Sequence, residues 1–193
     1  MREYTSFKEA LKDPAKVRRL YVSGMSKRTV LPDFRLFPAL EELTLHCRLA
    51  PVTRFPDVFG CASLRRLTIT GTAIAKIPPG FARLAKLEEL VLVGHRRLAA
   101  LPEDVVALRG LKHLQIDNNG LTRLPARLGR LAALEELVAY SNRIRALPAS
   151  LYRLPKLRWL ELQGNRLAKP PVRLMAMPKL RHLMTDFANV ERG

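Results

Sequence analysis

The chain has 193 residues, with 34 Lys and Arg against 17 Asp and Glu, which gives a formal net charge of +17. Hydrophobic residues make up 48% and aromatic residues 6%, so we predict one domain with a core of leucine, isoleucine, valine and alanine. No apolar run approaches the length of a membrane span, and two cysteines are too few for a disulfide framework. This composition argues against a transmembrane protein and favours a reducing compartment.

Residues 1–16, MREYTSFKEALKDPAK, are predicted to form a helical cap. Ser6 and Glu9 have the spacing of a capping box, and Phe7, Ala10 and Leu11 could cover the end of the core that follows. The stretch has no apolar segment of the kind found in secretory signals, so we expect a cytoplasmic protein.

Residues 17–179 repeat one pattern seven times, with starts near residues 17, 40, 64, 87, 111, 134 and 157. Clear copies are LKHLQIDNNGLTRLPARLGRL from Leu111 and LEELVAYSNRIRALPASLYRL from Leu134. The starts lie 23 or 24 residues apart, and a fixed period in this range predicts a solenoid. Residues 180–193 are interpreted as a partial repeat, LRHLMTDF, and a C-terminal cap.

Each copy, numbered from its first leucine, changes period midway. Positions four and six alternate as in a strand with one buried face, and the LPxxLxxL segment has the spacing of a short helical or 3-10 turn. Position nine is Asn119, Asn142 or Asn165 in three copies, where an amide can bond the backbone of neighbouring coils. The predicted fold is a right-handed α/β solenoid with a parallel sheet on its concave face and short turns on its convex face.

These copies resemble the leucine-rich repeat of the 23-residue LPxxLxxLxxLxxLxLxxNxL type. The resemblance covers roughly residues 17 to 184 and is closest to Ras-suppressor-type and bacterial intracellular proteins and to type III effector repeat domains. It implies a protein-binding surface, and it is specific for fold rather than for partner. We therefore expect a non-enzymatic protein-interaction module that is monomeric and has a protein partner. Delivery to a host cell as a bacterial effector stays an alternative.

Charges at positions two and three alternate in sign from one repeat to the next. Glutamate pairs occur at residues 41–42, 88–89 and 135–136, between repeats that carry arginine, lysine or histidine there. Adjacent parallel strands would place opposite charges about 4.8 Å apart, where such pairs stabilise a sheet and fix its register. We interpret the six glutamates as structural. We predict that Glu89 approaches Arg66 or His113, and that Glu136 approaches His113 or lies beside Trp159.

Concave-facing side chains, at positions three, five and seven, become larger and more varied in the C-terminal half. Trp159 is the only tryptophan and is expected outside the core, a composition typical of protein-binding hot spots. The leucine scaffold does not need it there. The predicted partner-binding residues are His113, Gln115, Asp117, Tyr140, Trp159, Glu161, Gln163 and His182.

An arginine-rich edge supports a second hypothesis, electrostatic binding of nucleic acid or an anionic membrane. Its residues fall just before or within the LP segment of successive coils: Lys76, Arg97, Arg123, Arg145, Arg166 and Lys169. No aromatic residues are interleaved with them and no nucleic-acid-binding motif is present, so an acidic protein surface suits them better. The simplest interpretation of the arginine-rich edge is a solvated surface that reflects a general bias in composition.

Catalysis, cofactors and metals are not supported by any motif. His46 beside Cys47 suggests a dyad, but successive strand residues point to opposite sides. His113 and Glu136, one strand apart, would lack further metal ligands. We therefore expect no catalytic residues, no cofactor and no metal.

Overall fold

The computed structural model describes residues 3–25, 28–47, 52–187 and 189–191. For residues 190 and 191 it describes the backbone only. Its strands form one sheet in chain order, the first nine parallel and the tenth antiparallel to the ninth. This confirms the predicted solenoid and its parallel sheet. The strands are β1 Glu3–Tyr4, β2 Arg19–Val22, β3 Glu42–His46, β4 Arg66–Thr70, β5 Glu89–Val93, β6 His113–Gln115, β7 Glu136–Val138, β8 Trp159–Glu161, β9 His182–Met184 and β10 Asn189–Glu191.

The strand register follows the predicted pattern. In β4, Leu67 and Ile69 are fully buried, while Thr68 and Thr70 face solvent in part. Each position-four leucine sits opposite the same leucine of the next coil, as in the pairing of Leu67 with Leu90. This stack runs through Leu20, Leu43, Leu67, Leu90, Leu114, Leu137, Leu160 and Leu183. A one-residue slip would turn every leucine to solvent, so burial fixes the register.

The chain returns along the far side of the core through short 3-10 turns. These are Phe34–Leu36, Phe81–Arg83, Glu103–Ala107, Leu128–Arg130, Leu151–Arg153 and Val172–Ala176. Each turn buries at least one apolar side chain in the core, for example Phe81 or Leu128. Between β3 and β4 the described residues 52–65 contain no such turn, so the second coil is the least regular in this part of the chain.

Both ends of the described chain carry elements outside the repeats. Helix α1, Phe7–Ala10, begins as expected, with the Ser6 hydroxyl accepting the backbone N–H of Glu9 at 3.2 Å. Ala10 is buried and Phe7 packs edge-on against Phe34, but Leu11 is 43% exposed and does not cover the core. The sheet also extends beyond the repeats, through β1 before the helix and β10 after the last coil.

Asparagines tie the C-terminal coils together inside the solenoid. The Asn142 amide donates to the carbonyls of Ile116 and Ala139 at 2.9 and 3.1 Å, and its oxygen accepts the Leu121 N–H at 3.0 Å. Asn165 makes equivalent bonds, and Asn119 donates in the same way while its oxygen accepts the N–H of His95. Each amide therefore satisfies backbone groups that the bend leaves without strand partners.

His95 takes the asparagine position one coil earlier. Its Nε2 lies 3.0 Å from the Ile69 carbonyl oxygen, and its Nδ1 lies 2.6 Å from the Thr72 hydroxyl. Because a carbonyl can only accept, Nε2 carries the hydrogen and Nδ1 accepts from Thr72. Burial lowers the pKa of His95 to about 4, so the ring is neutral and acts as an asparagine does.

Candidate protein-binding surface

The concave face carries three rows of side chains that cross the sheet. They are the residues at repeat positions three, five and seven, here called the first, middle and last rows. In β4 these are Arg66, Thr68 and Thr70, which alternate with the buried Leu67 and Ile69. Any partner lying on the sheet meets these rows.

The first row is an ion-pair ladder over the N-terminal strands. Glu42 Oε1 lies 3.3 Å from Arg19 Nε and 2.9 Å from Arg66 Nη1, and Arg66 Nε lies 3.5 Å from Glu89 Oε2. His113 Nδ1 lies 3.1 Å from Glu136 Oε2. The predicted approaches of Glu89 to Arg66 and of Glu136 to His113 are therefore confirmed.

Position two adds a parallel set of pairs. Glu88 lies 2.6 Å from Arg65 and 2.7 Å from Lys112, and these partners, Lys112 most strongly, hold the pKa of Glu88 below its usual range. Arg18 pairs with Glu41. Glu135 forms no ion pair with any residue that the structure describes, so five of the six glutamates belong to the ladder.

Beyond β5 the concave face changes character. The three rows of β6 to β9 contain no lysine or arginine and carry four carboxylates. Their twelve residues are His113, Gln115, Asp117, Glu136, Val138, Tyr140, Trp159, Glu161, Gln163, His182, Met184 and Asp186. We call these residues the C-terminal patch.

Trp159 is the centre of this patch. Its indole stacks on the His182 ring, with centroids 3.5 Å apart and an interplanar angle of 10°, and its Nε1 donates to Glu161 Oε1 at 2.8 Å. His182 Nε2 lies 3.5 Å from the same carboxylate oxygen. The indole is thus held in one orientation while 41% of Trp159 stays exposed.

Two predicted contact residues lie below the surface instead. Asp117 is 1% exposed and accepts hydrogen bonds from Gln115 Nε2 at 2.8 Å and Asn118 Nδ2 at 2.6 Å. His182 is 8% exposed because the indole of Trp159 covers it. Both side chains therefore lie beneath the exposed groups of the patch.

The other predicted residues stay accessible. His113 is exposed, and Gln115, Tyr140, Glu161 and Gln163 are half-buried. Burial and, secondarily, the Asp117 carboxylate raise the pKa of Tyr140, so its phenol stays protonated. The patch therefore offers an aromatic centre with hydroxyl, amide and carboxylate groups around it.

The basic edge is exposed at every predicted residue. None of Lys76, Arg97, Arg123, Arg145, Arg166 and Lys169 forms an ion pair with the described residues. Successive coils are joined there by backbone hydrogen bonds, such as Arg166 N–H to the Ile144 carbonyl at 2.9 Å. The edge is therefore a row of uncompensated positive charges.

A family profile described as leucine-rich repeat region matches residues 16–191. The chain is a leucine-rich repeat protein. Regions of this family generally mediate protein–protein interaction.

Two further findings concern membrane spans and metal sites. No described helix is long and apolar enough to cross a membrane. Within the same residues, no group of three or more His, Cys, Asp or Glu side chains could hold a metal ion.

Solved structures of other leucine-rich repeat proteins share the fold. A Leptospira interrogans protein is 28% identical over 95% of this chain and 46% of its own, with a TM-score of 0.85. The repeat domain of the type III effector XopL is 25% identical over 81% of this chain and 56% of its own, with a TM-score of 0.71. The chain thus spans about half the length of these proteins. No curated protein shows significant sequence similarity to it.

A groove in the N-terminal half of the concave face was missed by sequence reasoning. It encloses about 900 Å³ and is lined by Tyr21, Ser23, Gly24, His46, Thr70, Gly71, Val93 and Gly94. The three glycines occupy position eight with φ between 64° and 78°, a conformation that favours glycine and leaves the floor without side chains. The recurrence of glycine at position eight of these repeats is the sequence feature that could have indicated the groove.

His46 and Cys47 are separated as strand geometry requires. His46 faces the groove and lies 2.7 Å from the Thr70 hydroxyl, whereas Cys47 is buried in the core. Burial raises the pKa of Cys47 to about 11, and that of Cys61 likewise, so both thiols stay protonated.

Proposed function

We propose that this leucine-rich repeat protein is a non-enzymatic protein-interaction module whose C-terminal patch holds the partner. The observation that carries the proposal is the exposed indole of Trp159, fixed in place by His182 and Glu161. A rigid aromatic side chain loses little conformational entropy when a partner covers it, so its burial contributes strongly to affinity. The surrounding Tyr140, Gln163 and His113 would fix the orientation of the partner.

The patch also has the variety that specific recognition requires. Hydroxyl, amide, imidazole and carboxylate groups lie within four adjacent strands, a width of about 15 Å. The basic edge repeats one kind of group and offers charge with little shape. Specificity therefore belongs to the patch, and the edge contributes long-range attraction or solubility.

The test uses two aromatic variants on the same sheet. Trp159→Ala removes the centre of the patch, and Tyr21→Ala removes the 36%-exposed tyrosine at the other end of the concave face. Partners are captured from source-cell and candidate-host lysates, then purified and titrated by calorimetry. We expect Trp159→Ala to weaken binding by about 2 kcal/mol or more and Tyr21→Ala to leave it unchanged. The reverse pattern would move the site to the N-terminal groove.

A second candidate function is electrostatic binding through the basic edge, favoured by its uncompensated charges. It predicts that neutralising Arg145, Arg166 and Lys169 together abolishes binding to an acidic protein, nucleic acid or anionic membrane, with a steep dependence on salt. If the patch holds the partner instead, the same triple variant chiefly slows association. Measuring association and dissociation rates at two salt concentrations separates these outcomes.

A third candidate is delivery to a host cell as a bacterial effector. The observation that favours it is the likeness of this chain to the repeat domain of the type III effector XopL. Fusing the chain to a reporter enzyme that is active only inside host cells tests the idea. Signal that depends on the secretion apparatus of the bacterium supports delivery, and its absence points to a resident protein.

A further inference from the structure

The C-terminal patch has the opposite charge to the chain that carries it. The whole chain has a net charge of +17, yet the patch includes Glu136, Glu161, Asp117 and Asp186 and no lysine or arginine. The first rows of β2 and β4, by contrast, contain Arg19 and Arg66, which neutralise the neighbouring glutamates. A positive group is therefore attracted to this part of the sheet and repelled by most of the remaining surface.

The position of the indole makes this local field specific. Trp159 lies between Glu136 of β7 and His182 of β9 in the first row. Its ring stacks on His182, and the Glu136 carboxylate turns the other way, toward His113 at 3.1 Å. Because His182 covers one face of the indole and Glu136 is bonded to His113, we infer that the indole face directed toward β7 is accessible. Trp159 is 41% exposed, and the side chain of Glu136 is 41% exposed.

We propose that the patch binds a basic peptide segment of the partner, one of whose arginine side chains lies between the indole of Trp159 and the carboxylate of Glu136. An indole is the best aromatic surface for a cation, and a carboxylate beside it supplies the counter-charge. Arginine fits better than lysine because its planar guanidinium stacks on a ring while donating hydrogen bonds from its edge. The Glu161 carboxylate, already bonded to the indole, increases the negative potential at the same ring.

This inference rests on the proposed function and specifies the partner's chemistry. An acidic peptide or a nucleic acid would meet the carboxylates of Glu136, Glu161 and Asp186 on this face and is disfavoured there. A second copy of the chain carries abundant arginine and is a different occupant, which the test below separates from a foreign segment.

The probe is a capped peptide with two arginines in a Gly-Ser background, compared with glutamate and glutamine versions of the same length. Trp159 is the only tryptophan, so its indole N–H gives one signal in a proton–nitrogen NMR spectrum. We expect the arginine peptide to move this signal and to bind about tenfold more tightly than the glutamine peptide at low salt. Overturning results are binding of the glutamate peptide with the indole signal shifted, or no shift with the arginine peptide.

Three variants assign the binding. Glu136→Gln keeps the shape of the patch and removes one charge, and Trp159→Ala removes the stacking surface. Glu88→Gln is the matched control, because Glu88 lies outside the patch and pairs with Arg65 and Lys112. We expect the first two to weaken the arginine peptide about tenfold and the control to leave it unchanged. Equal effects in Glu136→Gln and Glu88→Gln would show only a general field and would overturn the proposal.

The native partner separates this inference from the proposed function. If its binding requires Trp159 but tolerates Glu136→Gln, the patch is the site and the basic segment is wrong. If it requires neither residue, both proposals fail. Self-association that Trp159→Ala abolishes, measured by sedimentation, would make a second copy the occupant and would also overturn the basic partner segment.

Discussion

The two halves of the solenoid are stabilised in different ways. In the N-terminal half the core contains phenylalanines, with the ring centroids of Phe59 and Phe81 5.4 Å apart, and the concave first row is a ladder of ion pairs. In the C-terminal half the core is mainly leucine and is tied by Asn119, Asn142 and Asn165. There the first row has no arginine, and Trp159 lies beside Glu136 as Arg66 lies beside Glu42.

This difference shows how one repeat can separate stability from recognition. Where arginines and glutamates of the first row pair with each other, as Arg66 does with Glu42 and Glu89, their charges are already satisfied and little remains for a partner. Where internal amides bond the backbone of successive coils, the concave rows are released from that structural role. The C-terminal patch could therefore become aromatic and acidic without loss of the fold.

The largest expected effect tests the aromatic core of the N-terminal half. Phe81 and Leu128 bury the same position of their turns, and both are fully buried. Phe81→Ala removes a ring that also contacts Phe55 and Phe59, so we expect a loss of about 3–5 kcal/mol in the free energy of unfolding. Urea denaturation measures it.

Leu128→Ala is the companion measurement, with an expected loss of about 2–5 kcal/mol. Phe81→Leu, which introduces the residue of the later coil, should lose less than Phe81→Ala. If Phe81→Ala loses less than Leu128→Ala, the phenylalanine cluster does not stabilise the first half in the way described.

The next effect concerns His95 at the boundary between the halves. An unfolded histidine takes up a proton below its ordinary pKa of about 6.5, whereas the folded ring does so only below about 4. Between these values the unfolded state binds more protons, so stability rises with pH across this window. As the pH falls from 6.5 to 4 we expect His95 to contribute a loss of about 3 kcal/mol.

His95→Asn is the matched variant, since asparagine bonds the equivalent carbonyl in the next three coils. It should remain folded at pH 7 and lose less stability than the wild type on acidification to pH 4. Comparing urea midpoints of the two proteins at several pH values measures this. Parallel pH curves would show that the ring is not the source of the acid sensitivity.

The smallest effect distinguishes paired from unpaired glutamates. Glu88 and Glu135 occupy the same repeat position, but only Glu88 has ion-pair partners among the described residues. Glu88→Gln should lower the free energy of unfolding by about 0.5–1 kcal/mol at low salt and by less at high salt, because exposed pairs are screened. Glu135→Gln should change it less at both salt concentrations. Equal losses would show that the ladder does not act through pairing.

Much of the fold was predictable because it is periodic. The leucines at positions four and six specify the buried side of every strand, and the alternation of Arg66 and Glu89 indicates which charges meet. β1 and β10 were not predicted, since they lie outside the repeat and their two or three residues carry no period of their own.

The patch was predicted less completely for a different reason. Strand alternation indicates which side of the sheet a residue faces, and it placed Trp159 and Glu161 correctly on the solvent side. It does not indicate which side chain covers which. Asp117 is buried by its bonds to Gln115 and Asn118, and His182 by the indole, and both depend on side-chain packing beyond the repeat.

The alternating ladder has a consequence for how such a gene can change length. Arg66 lies between Glu42 and Glu89, so deletion of the single coil that contributes Glu42 would bring Arg19 beside Arg66. Removal or duplication of two consecutive coils would restore opposite charges at the new junction. Where the ladder runs, we therefore expect recombination to be tolerated when it removes or adds an even number of repeats. The coils of β8 and β9 carry no glutamate pair, so this restriction does not apply to them.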